Sequence, residues 1–408
     1  MGLLDGRRLL LGVGGGIAAY KAPELVRRLR EAGASVRVVL TDAGARFVSE
    51  LALEVVSRAP VGRGLWEPSD ASGIVHTDLG KEVDLIVLAP ATANLIGRIR
   101  HGLADDLLST TVMACHTPVL VCPSMNSEML ANPLVRENIE ALAAQPRFKV
   151  LEPGSGLLAC GVTGPGRLPD PPEIIEAAAG VLTPTTLEGV RVAVSAGPTR
   201  EALDPVRFLT NRSSGTMGYA LARAFAARGA DVTLISGPTG LRTPVGVTRR
   251  VDITSAAEAA VAVEEIFPSC DVLVMAAAIA DYRPATRAEH KLKKDAGPLH
   301  LALERTTDIL ATVAARPDRA GRVLIGFAAE TRDVEALARE KLDRKGLDWI
   351  IANDVAGVGV GFGTGDNAGM LVGRDGTTTE LRRASKDAFA ERVVDLLGPA
   401  ILERLARG

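Results

Sequence analysis

Four glycines near the start of the chain could bind an anion. Gly12, Gly14, Gly15 and Gly16 follow a short apolar run and precede a helical pattern, so their backbone N–H groups could face a phosphate. The full GxGxxG dinucleotide fingerprint is absent, because Ile17 stands where the third glycine belongs. A mononucleotide therefore fits this loop more easily than a dinucleotide, and a tight strand–helix turn without a ligand is the equal alternative.

Polar residues that could take part in catalysis follow other predicted strands of the first half. His76 comes just before a predicted helix in IVHTDLGK, Asn126 follows a strand in VLVCPSMNSEM, and Cys160 lies in the glycine-rich loop ACGVTGPGR. Taken singly, each has a common structural role: a histidine at a helix cap, an asparagine in a turn and an inert small thiol. Ligands of doubly wound sheets bind outside the carboxyl ends of the strands, so chemistry is expected in these loops.

The second half carries a comparable loop and two groups of basic residues. In VSAGPTREALDPVRFLTNRSSGTMGYA, Arg207 and Asn211 lie four residues apart, and Ser213-Ser214-Gly215 lead into a helix whose N-terminus could bind phosphate. The simpler alternative is a serine cap with solvated arginines. Basic groups usually form solvated faces, but near strand ends they could stabilise a transferring phosphoryl group. The residues concerned are Lys291, Lys293, Lys294, Lys341, Arg344 and Lys345.

Strand and helix patterns alternate through both halves of the chain. The first half begins with a predicted buried strand over Leu9–Leu11, a helix from Ala18 to Glu31 and a second strand, and the segment from Val190 repeats this order. VDLIVLAPATANL and CDVLVMAAAIADY form a second matched pair. The alternation predicts an α/β protein with two doubly wound parallel-sheet domains, flavodoxin-like or Rossmann-like over 1–189 and Rossmann-like over 190–408.

Two further predictions concern the C-terminal region. The glycine-rich stretch Gly357–Gly365 is predicted to be flexible and to become ordered by a ligand or partner. The segment AGMLVGRDGTTTEL is predicted to form a hairpin with its turn at Asp375-Gly376.

The composition excludes several classes of protein. The 408 residues are 47% apolar and 24% charged, which is typical of a folded protein rather than a disordered one. The 47 basic and 49 acidic side chains give a net charge of −2, and there are only 8 Phe, 3 Tyr and 2 Trp. Neither a basic surface nor stacking platforms for a nucleic acid are therefore expected.

The sequence also indicates where the protein works. No apolar run approaches the roughly 18 residues of a membrane helix, and Asp5 and the glycines interrupt any secretory signal at the start. The four cysteines, which form no CxxC pair, are Cys115, Cys122, Cys160 and Cys270. This spacing argues against a zinc site and a disulfide framework, and it predicts a cytoplasmic protein.

Five segments of the first half occur in an order that resembles the flavin-containing cysteine decarboxylases: GGIAAYK, HTDLGK, APATAN, PSMNSEM and ACGVTGPGR. The likeness covers nearly all of residues 7–172. This part of the chain most resembles the N-terminal half of a bacterial bifunctional family, which joins a phosphopantothenoylcysteine decarboxylase to a phosphopantothenate–cysteine ligase. Two departures are Ser124, where alanine is common, and Leu130, where monofunctional relatives carry tryptophan.

The resemblance implies an FMN-dependent decarboxylation. Loss of CO₂ from a cysteinyl carboxylate leaves electrons on Cα, and oxidation of the thiol to a thioaldehyde by FMN lets them delocalise into an enethiolate. A hydride then returns from the flavin, and an acid supplies a proton. By resemblance, Cys160 is the proton donor, His76 assists decarboxylation and Asn126 binds the substrate carboxylate or amide. The implied FMN contacts are Gly15, Ile17, Thr41, Thr92, Asn94 and Ser109.

The second half resembles the ligase half of the same family over roughly residues 190–380, through AGPTREALDPVRFLTNRSSGTMG, AAAIADYR, KLKK, GFAAET and ANDV. The resemblance implies that CTP with Mg²⁺ converts phosphopantothenate into an acyl-cytidylate, from which the amine of cysteine displaces CMP. Arg207 and Asn211 would hold the acyl intermediate, and Lys291 would belong to the catalytic centre. The implied CTP contacts are Ala276, Asp281, Lys291, Asp308, Phe327, Lys341 and Lys345. One departure is Thr306-Thr307-Asp308-Ile309, where the family usually reads Asn-Pro-Asp-Ile.

The expected protein is thus a two-step enzyme of coenzyme A biosynthesis, with small-molecule substrates and neither a nucleic-acid nor a membrane partner. The resemblance also implies a homo-oligomer, with ligase dimers and decarboxylase trimers that could assemble into a dodecamer. One alternative is a pair of nucleotide-binding domains that use FMN and NAD(P), against which the missing GxGxxG counts in both halves. Another is a non-catalytic flavoprotein that regulates a partner, against which Asn126 and Cys160 count.

Overall fold

The structure, a computed structural model, describes residues 2–65, 75–293, 299–330, 333–354 and 365–407. It divides the chain into two compact units, unit 1 (Met1–Thr183) and unit 2 (Pro184–Gly408). The division precedes the position expected from the sequence, because Leu187 is fully buried in the core of unit 2 and its N–H donates to the carbonyl of Arg228 at 2.8 Å. Lys294 and residues 357–364 of the glycine-rich stretch lie outside the described residues.

Unit 1 is built on a parallel sheet. Its strands are β1 (Arg8–Val13), β2 (Ser35–Leu40), β3 (Val61–Gly62), β4 (Leu85–Ala91), β5 (Val119–Pro123) and β6 (Phe148–Val150), and a separate antiparallel hairpin consists of β7 (Gly154–Leu157) and β8 (Thr163–Arg167). The sheet order is β3-β2-β1-β4-β5-β6, the order of a doubly wound dinucleotide-binding fold. β1 and β4 lie at its centre, and their side chains are fully buried from Leu9 to Leu11 and from Leu85 to Ala89.

The helices of unit 1 are α1 (Ala22–Glu31), α2 (Glu50–Ser57), α3 (Val75–Lys81), α4 (Ala93–Arg100), α5 (Leu107–Met113), α6 (Ser127–Ala131), α7 (Pro133–Ala143) and α8 (Pro171–Leu182). The predicted start of α1 at Ala18 is wrong, because Ile17–Lys21 forms a 3-10 turn and the α-helix begins at Ala22. Pro23 lacks an N–H group and is therefore favoured in a first helical turn, where no intrahelical acceptor is needed.

Unit 2 contains a larger sheet. Its strands are β9 (Arg191–Ala196), β10 (Arg200–Ala202), β11 (Phe208–Thr210), β12 (Asp231–Ser236), β13 (Arg249–Asp252), β14 (Val272–Met275), β15 (Tyr282–Pro284), β16 (Leu303–Arg305), β17 (Val323–Glu330), β18 (Trp349–Asp354), β19 (Asp366–Gly373) and β20 (Thr378–Ser385). The main sheet runs β13-β12-β9-β14-β17-β18-β19-β20, and it is parallel as far as β18. The last two strands are antiparallel and form the predicted hairpin, with Gly376 at a φ of 88° in its turn.

The helices of unit 2 cover both faces of this sheet. They are α9 (Thr216–Ala227), α10 (Ala256–Ile266), α11 (Ile309–Ala314), α12 (Val334–Arg344) and α13 (Lys386–Arg407). α9 and α13 pack in one apolar core that contains Phe225 and Phe389, and α10, α11 and α12 pack in another that contains Phe267. A doubly wound α/β fold is therefore confirmed in both units. Among the described residues, none of the helices is long and apolar enough to cross a bilayer.

Candidate functional sites

Unit 1 contains a cavity of about 910 Å³ at the carboxyl ends of its central strands. Its walls come from the loops that follow β1, β2, β4 and β5 and from the β7–β8 hairpin. The predicted site residues that line it are Gly15, Ile17, Thr41, Thr92, Asn94, Asn126 and Cys160. The fold thus collects residues that are spread over most of the unit.

The loops after β1 and β2 meet at one end of this cavity. A Cβ atom on Gly15 would lie 2.2 Å from the Cβ of Ala43, so only glycine lets the two loops come this close. Thr41 stiffens the same corner, since its Oγ1 donates to the carbonyl of Val13 at 3.0 Å and accepts the N–H of Gly44 at 3.1 Å. The corner is therefore a fixed backbone surface rather than a cluster of side chains.

The loop after β4 forms the next part of the wall. Thr92 is the N-cap of α4, and its Oγ1 accepts the N–H of Leu95 at 3.3 Å. Asn94 is exposed beside it, and Ile17 presents an apolar side chain that is 56% exposed. Polar helix-start groups and an apolar surface therefore face the same space.

Cys160 reaches this cavity because the β7–β8 hairpin is fastened to the loop after β5. The N–H of Met125 donates to the carbonyl of Gly166 at 2.9 Å, and Ser127 Oγ donates to the carbonyl of Pro165 at 2.7 Å. The turn between β7 and β8 then holds the exposed thiol of Cys160 next to Asn126, whose Nδ2 donates to Sγ at 3.3 Å. The side-chain oxygen of Asn126 accepts the N–H of Glu128 at 2.8 Å and so caps α6.

Two predicted residues of unit 1 do not line this cavity. Ser109 is fully buried, and its hydroxyl donates to the carboxylate of Asp106 at 2.8 Å in a capping box at the start of α5. His76 lies inside α3 rather than before a helix, and it is half-buried away from the cavity wall. For Ser109 the physical reason is the need of the α5 N-terminus for a hydrogen-bonding cap.

Unit 2 contains a second cavity, of about 800 Å³, at the carboxyl ends of β9, β14, β17 and β18. The predicted residues that line it are Asn211, Ala276, Asp281, Asp308, Phe327, Lys341 and Lys345. The start of α9, including Ser213, Ser214 and Gly215, forms another part of its wall. The structure therefore brings most of the predicted nucleotide-binding set to one place.

Asn211 joins two of the loops that border this cavity. Its Nδ2 donates to the carbonyl of Ala278 at 3.2 Å and to that of Ile279 at 3.1 Å. These carbonyls belong to the loop after β14, so Asn211 fixes the segment before α9 against the nucleotide side of the predicted site.

The Thr306-Thr307 departure leaves Asp308 in the cavity wall. Thr306 is fastened to the loop after β14, because its N–H donates to the carbonyl of Asp281 at 3.0 Å and its Oγ1 to that of Ala280 at 2.6 Å. Asp308 then caps α11, and its carboxylate lies 3.1 Å from Nζ of Lys345. A carboxylate and an ammonium are thus held as a pair at the cavity.

Arg207 and Lys291 do not line the second cavity. Asp204 is 2% exposed, and its carboxylate is paired with the guanidinium of Arg207 at 2.7 Å. Nη2 of Arg207 also donates to the carbonyl of Leu292 at 2.6 Å, and the N–H of Leu292 donates to Asp204 at 3.1 Å. A buried carboxylate needs such donors, so Arg207 anchors the segment that carries Lys291, which is exposed to solvent.

Two family models match successive parts of the chain. A flavoprotein family model matches residues 2–183, and a model of the DNA/pantothenate metabolism flavoprotein C-terminal domain matches residues 187–399. The coenzyme A biosynthesis bifunctional protein CoaBC of Vibrio cholerae is 46% identical over 97% of this chain and 98% of its own length. The chain belongs to the CoaBC family of coenzyme A biosynthesis bifunctional proteins.

Other members of the CoaBC family show the same full-length match. The protein of Bacillus subtilis is 44% identical over 94% of this chain and 95% of its own length. A solved structure of a CoaBC C-terminal domain is 38% identical, covers 54% of this chain and 99% of its own, and has a TM-score of 0.46. The full-length matches to the proteins of Vibrio cholerae and Bacillus subtilis confirm the family predicted from the sequence.

Several wall residues of this CoaBC family member were not predicted from the sequence. Arg98 lines the first cavity and is paired with Asp106 at 2.8 Å. Asn353, Asn367 and Lys386 line the second cavity. Asn353 lies in the ANDV segment, which was a usable signal, but Asn367 and Lys386 reach the cavity only through the packing of the β19–β20 hairpin.

The stabilisation that Asp204 gives through its pair with Arg207 should depend on pH. Burial raises the pKa of Asp204, but donors from the backbone of Val206, Arg207 and Leu292 and from the Arg207 side chain outweigh it and hold the pKa well below its usual value. The stabilisation is therefore complete above the ordinary carboxyl pKa of about 3.9 and is lost as the pH falls through the range between the two pKa values.

We expect Asp204→Asn to lower the stability of unit 2 at pH 7 and to flatten its dependence on pH between about 5 and 3. Hydrogen exchange of the β9 and β14 amides during denaturant titration measures this. Asp252→Asn, at an exposed aspartate of the same unit, is the matched control and should change little. An Asp204→Asn variant that keeps the wild-type slope would contradict the assignment.

Proposed function

We propose that the chain catalyses two successive steps of coenzyme A biosynthesis, one in each unit. Unit 2 joins 4′-phosphopantothenate to cysteine with CTP, and unit 1 converts 4′-phosphopantothenoylcysteine to 4′-phosphopantetheine with FMN. The observation that carries the proposal is the contact of Asn126 with Cys160, 34 residues away, in the wall of a glycine-lined cavity. The proposal includes a homo-oligomeric state and Mg²⁺ as the counter-ion of the nucleotide.

The residues that line the first cavity fit the chemistry of FMN. Gly14, Gly15 and Gly16 lie in its wall and carry no side chain, so main-chain atoms face the ligand there. Thr41, Thr92 and Asn94 would hold polar atoms of the cofactor, and Ile17 offers apolar contact to a ring system. When bound, FMN would take up the electrons of thiol oxidation and return them at the end of the reaction.

Asn126 and Cys160 account for the steps that the protein itself must perform in unit 1. Asn126 Nδ2 has two N–H donors, so one can remain on Cys160 Sγ while the other binds the substrate carboxylate. That carboxylate leaves as CO₂, and the enethiol that remains needs a proton. The thiol of Cys160 is exposed to the cavity and is a far stronger acid than a hydroxyl, so it supplies this proton from Sγ.

The second cavity provides what acyl activation requires. A carboxylate oxygen of phosphopantothenate forms a bond to the α-phosphorus of CTP, and the bond to pyrophosphate breaks. Lys345 is held by Asp308, and Lys341 lies on the same wall, so positive charge faces the phosphates. The amine of cysteine then attacks the acyl carbon, and CMP leaves. Asn211 would hold the acyl intermediate from the loop that it fixes to Ala278.

The test of the function is a coupled assay of the full chain. With phosphopantothenate, cysteine, CTP and Mg²⁺, we expect release of pyrophosphate and CO₂ and formation of phosphopantetheine. Pyrophosphate without CO₂ would remove the decarboxylase from the proposal, and CO₂ only from supplied phosphopantothenoylcysteine would remove the ligase.

Cys160→Ser separates the early steps of the decarboxylase from the late one. We expect this variant to bind FMN and to release CO₂. Its rate of phosphopantetheine formation should fall at least roughly 100-fold, because a serine hydroxyl is a poor general acid. Mass analysis should then find the unreduced enethiol as the product.

The ligase reaction of the same molecule is the internal control for Cys160→Ser. Val162→Ala, an exposed residue of the same turn that is not part of the cavity wall, is the control for the turn itself. Phosphopantetheine formation by Cys160→Ser at the wild-type rate would show that the thiol is only a loop residue.

Asn211→Asp tests the ligase site. A carboxylate at this position would face two carbonyl oxygens and repel the phosphate of an acyl-cytidylate, whereas the amide donates to both carbonyls. We expect the rate of pyrophosphate release to fall roughly 10- to 100-fold. This corresponds to the free energy lost when a hydrogen-bond donor is removed, about 1–3 kcal/mol. Decarboxylation of supplied phosphopantothenoylcysteine should continue, and an unchanged rate of pyrophosphate release would disprove the role of Asn211.

A further inference from the structure

A buried lysine lines the second cavity. Lys386 is the first residue of α13 and is only 7% exposed. Among the described residues, no ion pair or side-chain hydrogen bond contributes to the pKa of its ammonium. Burial is the cause that lowers the pKa of Lys386. A buried cation without a counter-ion is unfavourable, so its position at a cavity wall indicates an anionic ligand.

The contacts around Lys386 place it beside the N-terminus of α9. Asp387, the next residue, accepts a hydrogen bond from Nη1 of Arg223 in α9 at 2.8 Å. Asn367, which pairs with Ala384 in the hairpin before α13, lies with its Nδ2 3.0 Å from Sδ of Met217 in the first turn of α9. The start of α13 is therefore fastened to α9 on both sides of Lys386.

The N-terminus of α9 is itself prepared for an anion. Gly215, the N-cap residue, has a φ of 79° and no side chain, and Ser214 Oγ accepts the N–H of Thr216 at 3.5 Å. The N–H groups of Met217 and Gly218 have no acceptor among the described residues. These groups and the helix dipole form a positive site that borders the same cavity as Lys386.

A second positive wall lies on the other side of the sheet. Lys341 is in α12 and Lys345 directly follows it, and this helix packs in the core that contains α10 and α11. α9 and α13 pack in the opposite core. The cavity thus has two cationic walls on different faces of the sheet, and a ligase of the proposed kind has two anionic substrates. Between them, Asn353 and Asn367 each have a buried side-chain oxygen without a partner in the described part of the chain.

We propose that Lys386, together with the N-terminus of α9, binds the phosphate monoester of the pantothenate-derived substrate. The wall formed by Lys341 and Lys345 serves the nucleotide. This assignment rests on the proposed ligase function and adds to it a residue that selects the phosphorylated acid over the unphosphorylated one. Lys386 contacts the end of the substrate remote from the reacting carboxylate, so it acts on binding more than on turnover.

The test measures pyrophosphate release by the full chain with Lys386→Met and Lys386→Gln. At saturating CTP we expect the KM for phosphopantothenate to rise roughly 10- to 100-fold, the range expected from loss of a charged hydrogen bond, with kcat changed much less. The KM for CTP should stay the same. The preference of kcat/KM for phosphopantothenate over pantothenate should fall by a similar factor, and Lys386→Arg should restore most of it.

Arg382→Met is the matched control, because Arg382 is an exposed cation of β20 and the substitution makes the same change in net charge. A raised KM for CTP, or an unchanged preference for the phosphorylated acid, would overturn the assignment. If Lys386→Met unfolds, Lys386→Gln decides the question. In that variant, the inhibition constant of inorganic phosphate as a competitor of phosphopantothenate should rise together with the KM for phosphopantothenate. Absence of pyrophosphate release by the wild-type chain would instead refute the ligase function itself.

Discussion

Close contact between backbones at the first strand–helix crossover governs both units. In unit 1, Gly15 approaches the loop after β2 so closely that a Cβ would lie 2.2 Å from Ala43. In unit 2, a Cβ on Gly215 would lie 3.2 Å from the backbone of Gly197, and its φ of 79° favours glycine. Each contact places the following helix start at the edge of the sheet with little side chain in the way. Both corners therefore require glycine, and both border a cavity.

The two units use this common edge in different ways. In unit 1 the exposed thiol of Cys160 comes from a hairpin outside the sheet, which is docked on the loop after β5 by the hydrogen bonds of Met125 and Ser127. In unit 2 the charged residues lie at the ends of helices on both faces of the sheet, and Asn211 and Thr306 tie the intervening loops together. The flavoprotein site is therefore completed by a separate element, whereas the ligase site is built within the sheet.

Much of the fold could be predicted from the sequence, because buried strands and helices alternate with little ambiguity. The buried strand β1 and the hairpin at Gly376 followed from local patterns. The predicted start of α1 was one turn too early, since the apolar spacing does not distinguish a 3-10 turn from an α-helix. The domain edge differed because Leu187 belongs to a core that only tertiary packing reveals.

The sites divide in the same physical way. Residues such as Asn126 and Asp308 lie next to strand ends, where sequence position nearly determines location. Ser109 and Arg207 took other partners, Asp106 and Asp204, because buried acceptors and helix termini compete for the same polar groups. That competition depends on contacts that no local pattern encodes. Lys386 could not be predicted from the sequence, because its burial results from the packing of the β19–β20 hairpin against α9.

The exposure of Cys160 also has a chemical consequence for the cell that uses this protein. Burial raises the pKa of Cys122 far above its usual value and that of Cys270 to about 12, and Cys115 is buried as well. Cys160 alone among the four is exposed, so peroxide and alkylating reagents in solution meet this thiol first. Its conversion to a sulfenic acid would remove the proposed proton donor, whereas the second cavity has no cysteine among its described lining residues. Oxidative damage would then still allow CO₂ to leave but would stop the pathway at the unreduced enethiol.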